Sequence, residues 1–469
     1  MDWIAQITEI NKHINNFVWG PVMLVFIVGV GIYFTCGTKF FQLSRFPLWV
    51  RNTLGLLFKR KQAEKGAVTP FQAFTTAMAA TAGTGNLVGV ATALTLGGPG
   101  AMFWMWVSGF FGMMTKYAEI VLAIRYRERN AQNDWVGGPM YYIQKGMGKR
   151  FHWLALLFSV FGALCAFGIG NMTQINSIVG TSEAMLRDLH VIAPGDDTFV
   201  FKAAMGIGLA FFVMLVIMGG IRRIGEATEK LVPFIGILNI IGCIVAICLK
   251  ADALGEAFGS IFRAAFQTKA ISGGVLGYTL TQAIRFGIAR GVFTNEAGLG
   301  SAPIAHAAAD TDHPVRQGMW GVFEVFADTL VMCTLSGLVI LTSGAFQGAE
   351  GLNGAALTSA AFKASFGVFG SVFLAFSVLI FAYCTTLSWS LYGQRCFEYL
   401  FKGKGIRVYR LVFSLAVFVA AIMKLELAWD IADTLNGLMA IPNLVALIAL
   451  SPVVYSLTRS FFTQEKESA

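Results

Sequence analysis

Apolar stretches long enough to cross a lipid bilayer recur along this 469-residue chain from Phe17 almost to the C-terminus. A spanning helix needs about 20 largely apolar residues. Inside hydrocarbon every backbone N–H and C=O must be paired within the protein, which leaves only helices and closed barrels. Barrel strands would alternate over about 10 residues, whereas the length and spacing of these runs suit helices. The chain therefore reads as an all-α polytopic membrane protein. Composition agrees, since 13% of the residues are charged where a soluble domain carries roughly a quarter, and a set of soluble domains with polar shells is excluded.

Eleven segments are bounded by charge or by Pro/Gly clusters: 17–36, 71–96, 100–124, 152–180, 202–220, 231–249, 274–305, 317–343, 366–393, 407–423 and 427–457, numbered 1 to 11 in that order. An odd count puts the termini on opposite sides. Lys and Arg collect in cytoplasmic loops, and connector 37–70 carries Lys39, Arg45, Arg51, Lys59, Arg60, Lys61 and Lys65. It is placed inside, with the N-terminus outside and the C-terminus in the cytoplasm. The basic loops 125–150, 222–230 and 395–410 fall on the same side, and Glu183, Asp188, Asp196, Asp197, Asp252, Glu256 and Glu350 on the other. The formal charge of +9 is thereby a topology signal, with some contact to anionic membrane lipid, and not a nucleic-acid footprint. Residues 1–17 lack a basic n-region and a small-residue cleavage site, so no signal peptide is expected. The seven cysteines lie in or beside apolar segments without a C-x-x-C pair, which argues against disulfides and structural zinc.

Segments 2 and 7 do not look like simple spans. The former contains ATAGTGNLVG and the latter RGVFTNEAGLGSAPIAH, each with glycine and polar residues at its middle. Glycine costs about 1 kcal/mol against alanine in a helix interior, and Asn, Thr and Glu at membrane depth add desolvation, so both read as discontinuous helices. Their offset of five segments is odd, so two copies would run in opposite directions. The expectation is an inverted repeat of segments 2–6 (71–249) and 7–11 (274–457), preceded by one extra N-terminal helix (17–36), in a single membrane domain over 1–469. A turn and a Trp-containing stretch follow both breaks, GAMFWMWVSG and GMWGVFEVFA. Interrupted helices at matching positions of inverted halves mark a transporter with a midplane site.

An unwound helix frees N–H groups at the start of its second half and C=O groups at the end of its first. The amide end is partially positive and suits a carboxylate, while the carbonyl end suits Na⁺ or an ammonium group. At Gly83, Thr84, Gly85 and Asn86 small residues let a ligand approach the backbone, and Phe293, Thr294 and Asn295 are expected to offer the same geometry pointing the other way. Together the two ends fit a zwitterion with the polarity of an α-amino acid, carboxylate on the 83–86 amides and ammonium on carbonyls near 292–295. Tight helix packing is the competing explanation for Gly-rich segments; the pairing of two polar breaks favours a site.

The stretches TAGTGNLVGVATALTLGGPGAMFWMW, GGPMYYI and GVFTNEAGLGSAPIAHA resemble the alanine or glycine:cation symporter family, and the resemblance covers almost the whole chain. It implies a LeuT-like fold of ten core helices, the first being segment 2 and the sixth segment 7. It also implies sodium-driven uptake of alanine or glycine and residence in a prokaryotic plasma membrane. A sodium site between core helices one and eight would take the carbonyls of Ala79, Ala82 and Ala382 and the hydroxyls of Thr385 and Thr386, the last three in LIFAYCTTLSW of segment 9 at an i, i+3, i+4 spacing that shares one helix face. Five uncharged oxygens suit a monovalent cation better than Ca²⁺ or Zn²⁺. Back-bonding of the threonines to the preceding turn is the alternative.

A second sodium site of some relatives maps onto Asn86 and Thr294. Gln174 of segment 4 matches the region that lines the substrate pocket in this fold, with Phe167, Phe293 and Trp389 as walls that restrict it to Gly, Ala, Ser or Cys. Glu296, where several relatives carry a small polar residue, is a candidate for ion coupling. Its structural alternative is an ion pair with Arg285 or Arg290.

Lys116 and Glu119 read as an i, i+3 salt bridge. Glu324, Asp328, Asp430 and Asp433 have no assignable partners, and His306 and His313 lie at a cytoplasmic turn without ligand-like spacing. The absence of a Walker-type G-K-S/T sequence disfavours ATP-driven transport, and neither H-E-x-x-H nor G-x-S-x-G points to an enzyme. No organic cofactor is expected. The resulting expectation is a secondary transporter coupling inward Na⁺ movement to a small neutral amino acid by alternating access. Competing readings are proton coupling or exchange through Glu296 and, in a different class, an ion channel.

Overall fold

The computed structural model describes residues 3–56, 63–193, 195–266, 279–348, 352, 354–423 and 426–467. Lys59, Arg60 and Lys61 of the first connector, residues 274–278 at the opening of segment 7, and Glu350 lie outside the described residues. Helices form at every apolar segment. Eight have the length and hydropathy to cross a membrane, and the pair Pro70–Thr81 and Gly85–Gly97, bent by 45°, makes a ninth. Segments 7 and 10 fall short of that length, with helices Leu280–Asn295 of 16 residues and Ile406–Ile422 of 17. Segment 11 is not one helix: it parts at Leu450 into Glu426–Ala449 and Ser451–Glu467. Two helices of 13 residues, Leu254–Phe266 and Gly354–Phe366, lie between the expected segments along with shorter ones, and the first segment is preceded by Trp3–Val18.

Burial separates an inner from an outer layer. The apolar window of Gly100–Tyr126 is 83% buried, against 22% for Phe199–Ile217 and 28% for Gly220–Cys248. The inner helix packs against Leu280–Asn295 and Pro314–Val325, while Val368–Phe401 packs against His152–Phe167 and Pro70–Thr81. The outer helices expose Phe211, Phe212, Ile237 and Ile241, an apolar surface that suits hydrocarbon and not water.

Both discontinuous helices open with the same device. Thr69 caps Pro70–Thr81 and exchanges hydrogen bonds with Gln72, and Thr279 and Gln282 do the same for Leu280–Asn295. Each Thr-x-x-Gln box satisfies two of the N–H groups a helix start leaves unpaired. At one end of the bundle the two helices are joined through their flanks: the Val68 N–H donates to Ala308 O (3.0 Å) and the Asp310 N–H to Val68 O (2.8 Å). Segment 2 thus begins beside the end of segment 7.

A hairpin of Glu128–Arg129 and Trp135–Val136 covers this joint. Arg127 donates to the carbonyls of Ala307 (3.1 Å) and Ala309 (2.5 Å), and its guanidinium and that of Arg129 each stand 4.2 Å from the Trp135 ring. Burial, and then the neighbouring Arg129, push Arg127 down to about 10, so it is still a cation at neutral pH. His313 caps Pro314–Val325: its Nδ1 accepts from the Val315 N–H at 3.2 Å. Burial lowers its pKa, which keeps the accepting nitrogen free of a proton.

Candidate functional site at the two helix breaks

Pro70–Thr81 ends at Ala82 (φ −75°, ψ 87°). The chain bends and resumes as a π-helical turn, Gly85–Gly89, followed by Val90–Gly97. Asn86 closes the turn, its Oδ1 accepting from the Gly83 N–H (3.0 Å) and its own N–H donating to Gly83 O (3.3 Å). The glycines are required by close approach. A Cβ at Gly83 would lie 2.6 Å from Thr385 Oγ1, and one at Gly85 would lie 2.9 Å from Thr294 Cγ2.

The second break falls later than the expected 292–296. Leu280–Asn295 runs on through Phe293 and Thr294, the chain leaves the helix at a left-handed Glu296 (φ 54°), and Gly298 (φ 94°) and Gly300 (φ 81°) carry it to the short helix Ala302–His306. Thr294 Oγ1 donates back to Gly291 O (2.9 Å) and the Glu296 N–H to Val292 O (2.8 Å). These bonds hold the last turn together until the first residue able to leave it. The carbonyls of Phe293, Thr294 and Asn295 then stand at a helix end, where no intrahelical partner exists.

Several expected residues meet across helices. Thr385 Oγ1 reaches Ala79 O at 2.8 Å while also 3.0 Å from Phe381 O of its own helix. The Thr84 hydroxyl donates to Gln174 Oε1 at 3.2 Å. Thr386 does not cross: it back-bonds to Ala382 O at 2.9 Å, the alternative given above. Ala82 and Ala382 are buried beside this contact line. Asn86 is engaged elsewhere, donating to Asp328 Oδ1 at 2.7 Å.

Trp389 is tied to Glu296. Its indole N–H donates to Glu296 Oε1 at 3.1 Å, and Ser301 donates to Glu296 Oε2 at 2.5 Å. Among the described residues Glu296 forms no ion pair with Arg285 or Arg290; Arg290 stands over the Phe293 ring instead, at 5.6 Å. Phe167 packs against Tyr409 (5.4 Å) and Phe413 (5.3 Å) of segment 10. A cavity of about 280 Å³ opens away from the breaks, between segments 4, 5 and 10, beside Asn176, Glu183, Arg187, Lys202 and Met423.

A model of the sodium:alanine symporter family matches residues 4–469. The chain belongs to the sodium:alanine symporter family. It is 46% identical to the sodium/alanine symporter AgcS of Methanococcus maripaludis over 100% of this chain and 99% of that protein. It is 36% identical to the probable sodium/glutamine symporter GlnT of Bacillus subtilis, over 98% and 92%. Among solved structures it is similar to MhsT in complex with L-phenylalanine, with a TM-score of 0.56 and 12% identity over 85% of this chain and 99% of that one. That likeness shows the fold, which is the LeuT-like one expected. The protein is accordingly a multi-pass membrane transporter that performs cation-coupled amino-acid symport, and not an enzyme.

In this symporter, sequence reasoning missed the buried polar frame around the breaks. Asp328, on the π-helical Phe326–Cys333, receives Asn86 of the first break and the Thr329 hydroxyl (2.9 Å), and Thr329 Oγ1 receives Asn295 of the second (3.1 Å). One carboxylate thereby stands between both breaks. Lys116 does not pair with Glu119 but lies 3.2 Å from Glu324, and His306 lies 3.0 Å from the other oxygen of Glu324. Gln317 Nε2 donates to His306 Nδ1 at 2.7 Å, which leaves Nε2–H of a neutral imidazole to face Glu324. Asp433 holds the N-terminal helix, receiving Asn15 at 2.9 Å. The one available signal was the presence of carboxylates at membrane depth, which are functional or paired by default; which partner each takes depends on the packing.

Proposed function

We propose that this symporter couples inward Na⁺ movement to a small neutral amino acid, alanine or glycine, by alternating access at the paired breaks. The observation that carries the reading is the contact of Gly85 with Thr294, which sets the amide end of one discontinuous helix against the carbonyl end of the other. A substrate carboxylate would lie on the amides of Thr84 and Gly85, and its ammonium on the carbonyls of Phe293, Thr294 and Asn295. Gln174, held to Thr84, lines the same place, with Phe167, Phe293 and Trp389 further out.

Sodium would take Ala79, Ala82, Ala382, Thr385 and Thr386. The Thr385–Ala79 bond supports this, because it brings together one of the five oxygens from each of the two helices. A second cation would have Asn86 and Thr294, with Asp328 supplying the formal charge that the first site lacks. Each ligand orders backbone that the other uses, so each raises the affinity of the other by linkage.

The same reading makes the chain one domain of eleven spans, an extra helix and two inverted copies of five. Support comes from the joint at Val68, which sets the start of segment 2 beside the end of segment 7, and from the paired capping boxes at Thr69 and Thr279. Residence in a prokaryotic plasma membrane with the N-terminus outside completes it. The relationship to a sodium/alanine symporter supports the substrate and the ion. Uptake of labelled alanine into proteoliposomes should follow an imposed Na⁺ gradient and be competed by glycine but not by leucine; uptake indifferent to Na⁺ would overturn the reading. One observation favours proton coupling as a second reading: Glu296 is buried with only neutral donors, Ser301 and Trp389, on its carboxylate. A pH jump without sodium separates the two.

A further inference from the structure

Gly298 and Gly300, the two left-handed glycines of the second break, point their N–H groups at a residue outside the site described so far. Both donate to Oε1 of Glu119 at 3.1 Å, and Asn443 Nδ2 donates to the same oxygen at 2.5 Å and to Gly298 O at 2.9 Å. Asn443 Oδ1 in turn accepts from the Tyr142 hydroxyl. Glu119, Asn443 and Tyr142 are all fully buried. They come from three elements: Gly100–Tyr126, Glu426–Ala449 and the short helix Pro139–Tyr142 of the loop between segments 3 and 4.

In a continuous helix the N–H groups of residues 298 and 300 would find carbonyls four residues back. Once the chain is unwound they need an acceptor from elsewhere, because a buried unpaired N–H costs about as much as the hydrogen bond it lacks. A carboxylate is the strongest acceptor a side chain provides. Glu119 supplies that acceptor to both N–H groups.

We propose that Glu119 is a positioning residue for transport: it holds segment 7 unwound through Gly298 and Gly300, and Asn443 ties that hold to Tyr142 on the loop. The inference rests on the reading of the breaks as the substrate and ion site. It adds that the loop bearing Tyr142 and the carbonyl end of the site move together.

The test uses the full chain in proteoliposomes, comparing wild type with Glu119→Ala, Glu119→Gln and Tyr142→Phe. Na⁺-driven alanine uptake is measured alongside hydrogen exchange of residues 296–301. Loss of charge-assisted bonds in Glu119→Ala is expected to raise the half-saturating alanine and Na⁺ concentrations at least about tenfold and to speed exchange in the segment. Glu119→Gln keeps a carbonyl acceptor and should recover most of the protection, with a shift of about threefold, and Tyr142→Phe should move both readouts the same way. Unchanged half-saturation and exchange in Glu119→Ala, with only a smaller yield of folded protein, overturns the proposal. If wild type ignores alanine and Na⁺, the functional reading has failed, and the exchange comparison still decides the role of Glu119.

Discussion

The two threonines of segment 9 sit next to each other and do different things. Thr385 bridges to Ala79 on another helix, and Thr386 returns to Ala382 on its own. Thr385→Ala is therefore expected to raise the Na⁺ concentration for half-maximal uptake about tenfold, the loss of one ligand and one interhelical bond, and Thr386→Ala to raise it less. An unchanged Na⁺ requirement in Thr385→Ala would place the ion elsewhere. Asp328→Asn keeps a group able to accept from Asn86 while removing the charge between the breaks, so the folded yield should hold while the Na⁺ requirement rises. Glu296→Gln similarly keeps an acceptor for the Trp389 N–H. Under sodium coupling its uptake stays Na⁺-driven; under proton coupling the response to a pH jump disappears. Backbone sites were legible at this scale because glycine and polar residues at membrane depth need a reason. Partners of Glu119, Asp328 and Glu324 were not, since Lys116 at i−3 from Glu119 looks like a partner until the third dimension gives it Glu324.

At the scale of elements, the breaks were readable and their edges were not. Sequence placed the second break at 292–296, but back-bonding by Thr294 and the bond from the Glu296 N–H to Val292 O carry the helix to Asn295. The π-helical turns at Gly85–Gly89 and Phe326–Cys333 have no local signature, because their extra residue answers to contacts with other helices. The Thr-x-x-Gln pairs at 69 and 279, by contrast, stand in the sequence and are the clearest similarity between the proposed repeats. Gly85→Ala should reduce transport sharply, since the added methyl meets Thr294 Cγ2 at 2.9 Å, and Thr294→Ser, which removes that methyl, should restore part of it. A rescue that fails points to the amide of Gly85 and not to its space. Arg127→Ala removes two charge-assisted bonds to Ala307 and Ala309. It should increase labelling of a cysteine placed at Ala308, inside the Val68 joint, by a thiol reagent on the side where that joint lies.

For the whole molecule, hydropathy and charge placed a helix at each of the eleven segments but missed Trp3–Val18, Leu254–Phe266 and Gly354–Phe366, and the helices of segments 7 and 10 are short for a span. Orientation decides which loops meet the external solution, and it rests on the distribution of Lys and Arg. Each basic residue near a membrane end makes the cytoplasmic side more favourable, and connector 37–70 alone carries seven. The loop after segment 4 and the loop before segment 10 belong to opposite faces on this reading. Val191, 68% exposed, lies in the first, and Lys404 is exposed in the second. With the exposed native cysteines Cys36 and Cys248 replaced by serine, an impermeant thiol reagent added to intact cells should label Val191→Cys and leave Lys404→Cys untouched until the cells are opened. The reverse pattern would turn the molecule over. Segment 2 would then start outside, and the Val68–Ala309 joint held by Arg127 would close the external path in place of the internal one, with Na⁺ and substrate still moving together down the Na⁺ gradient.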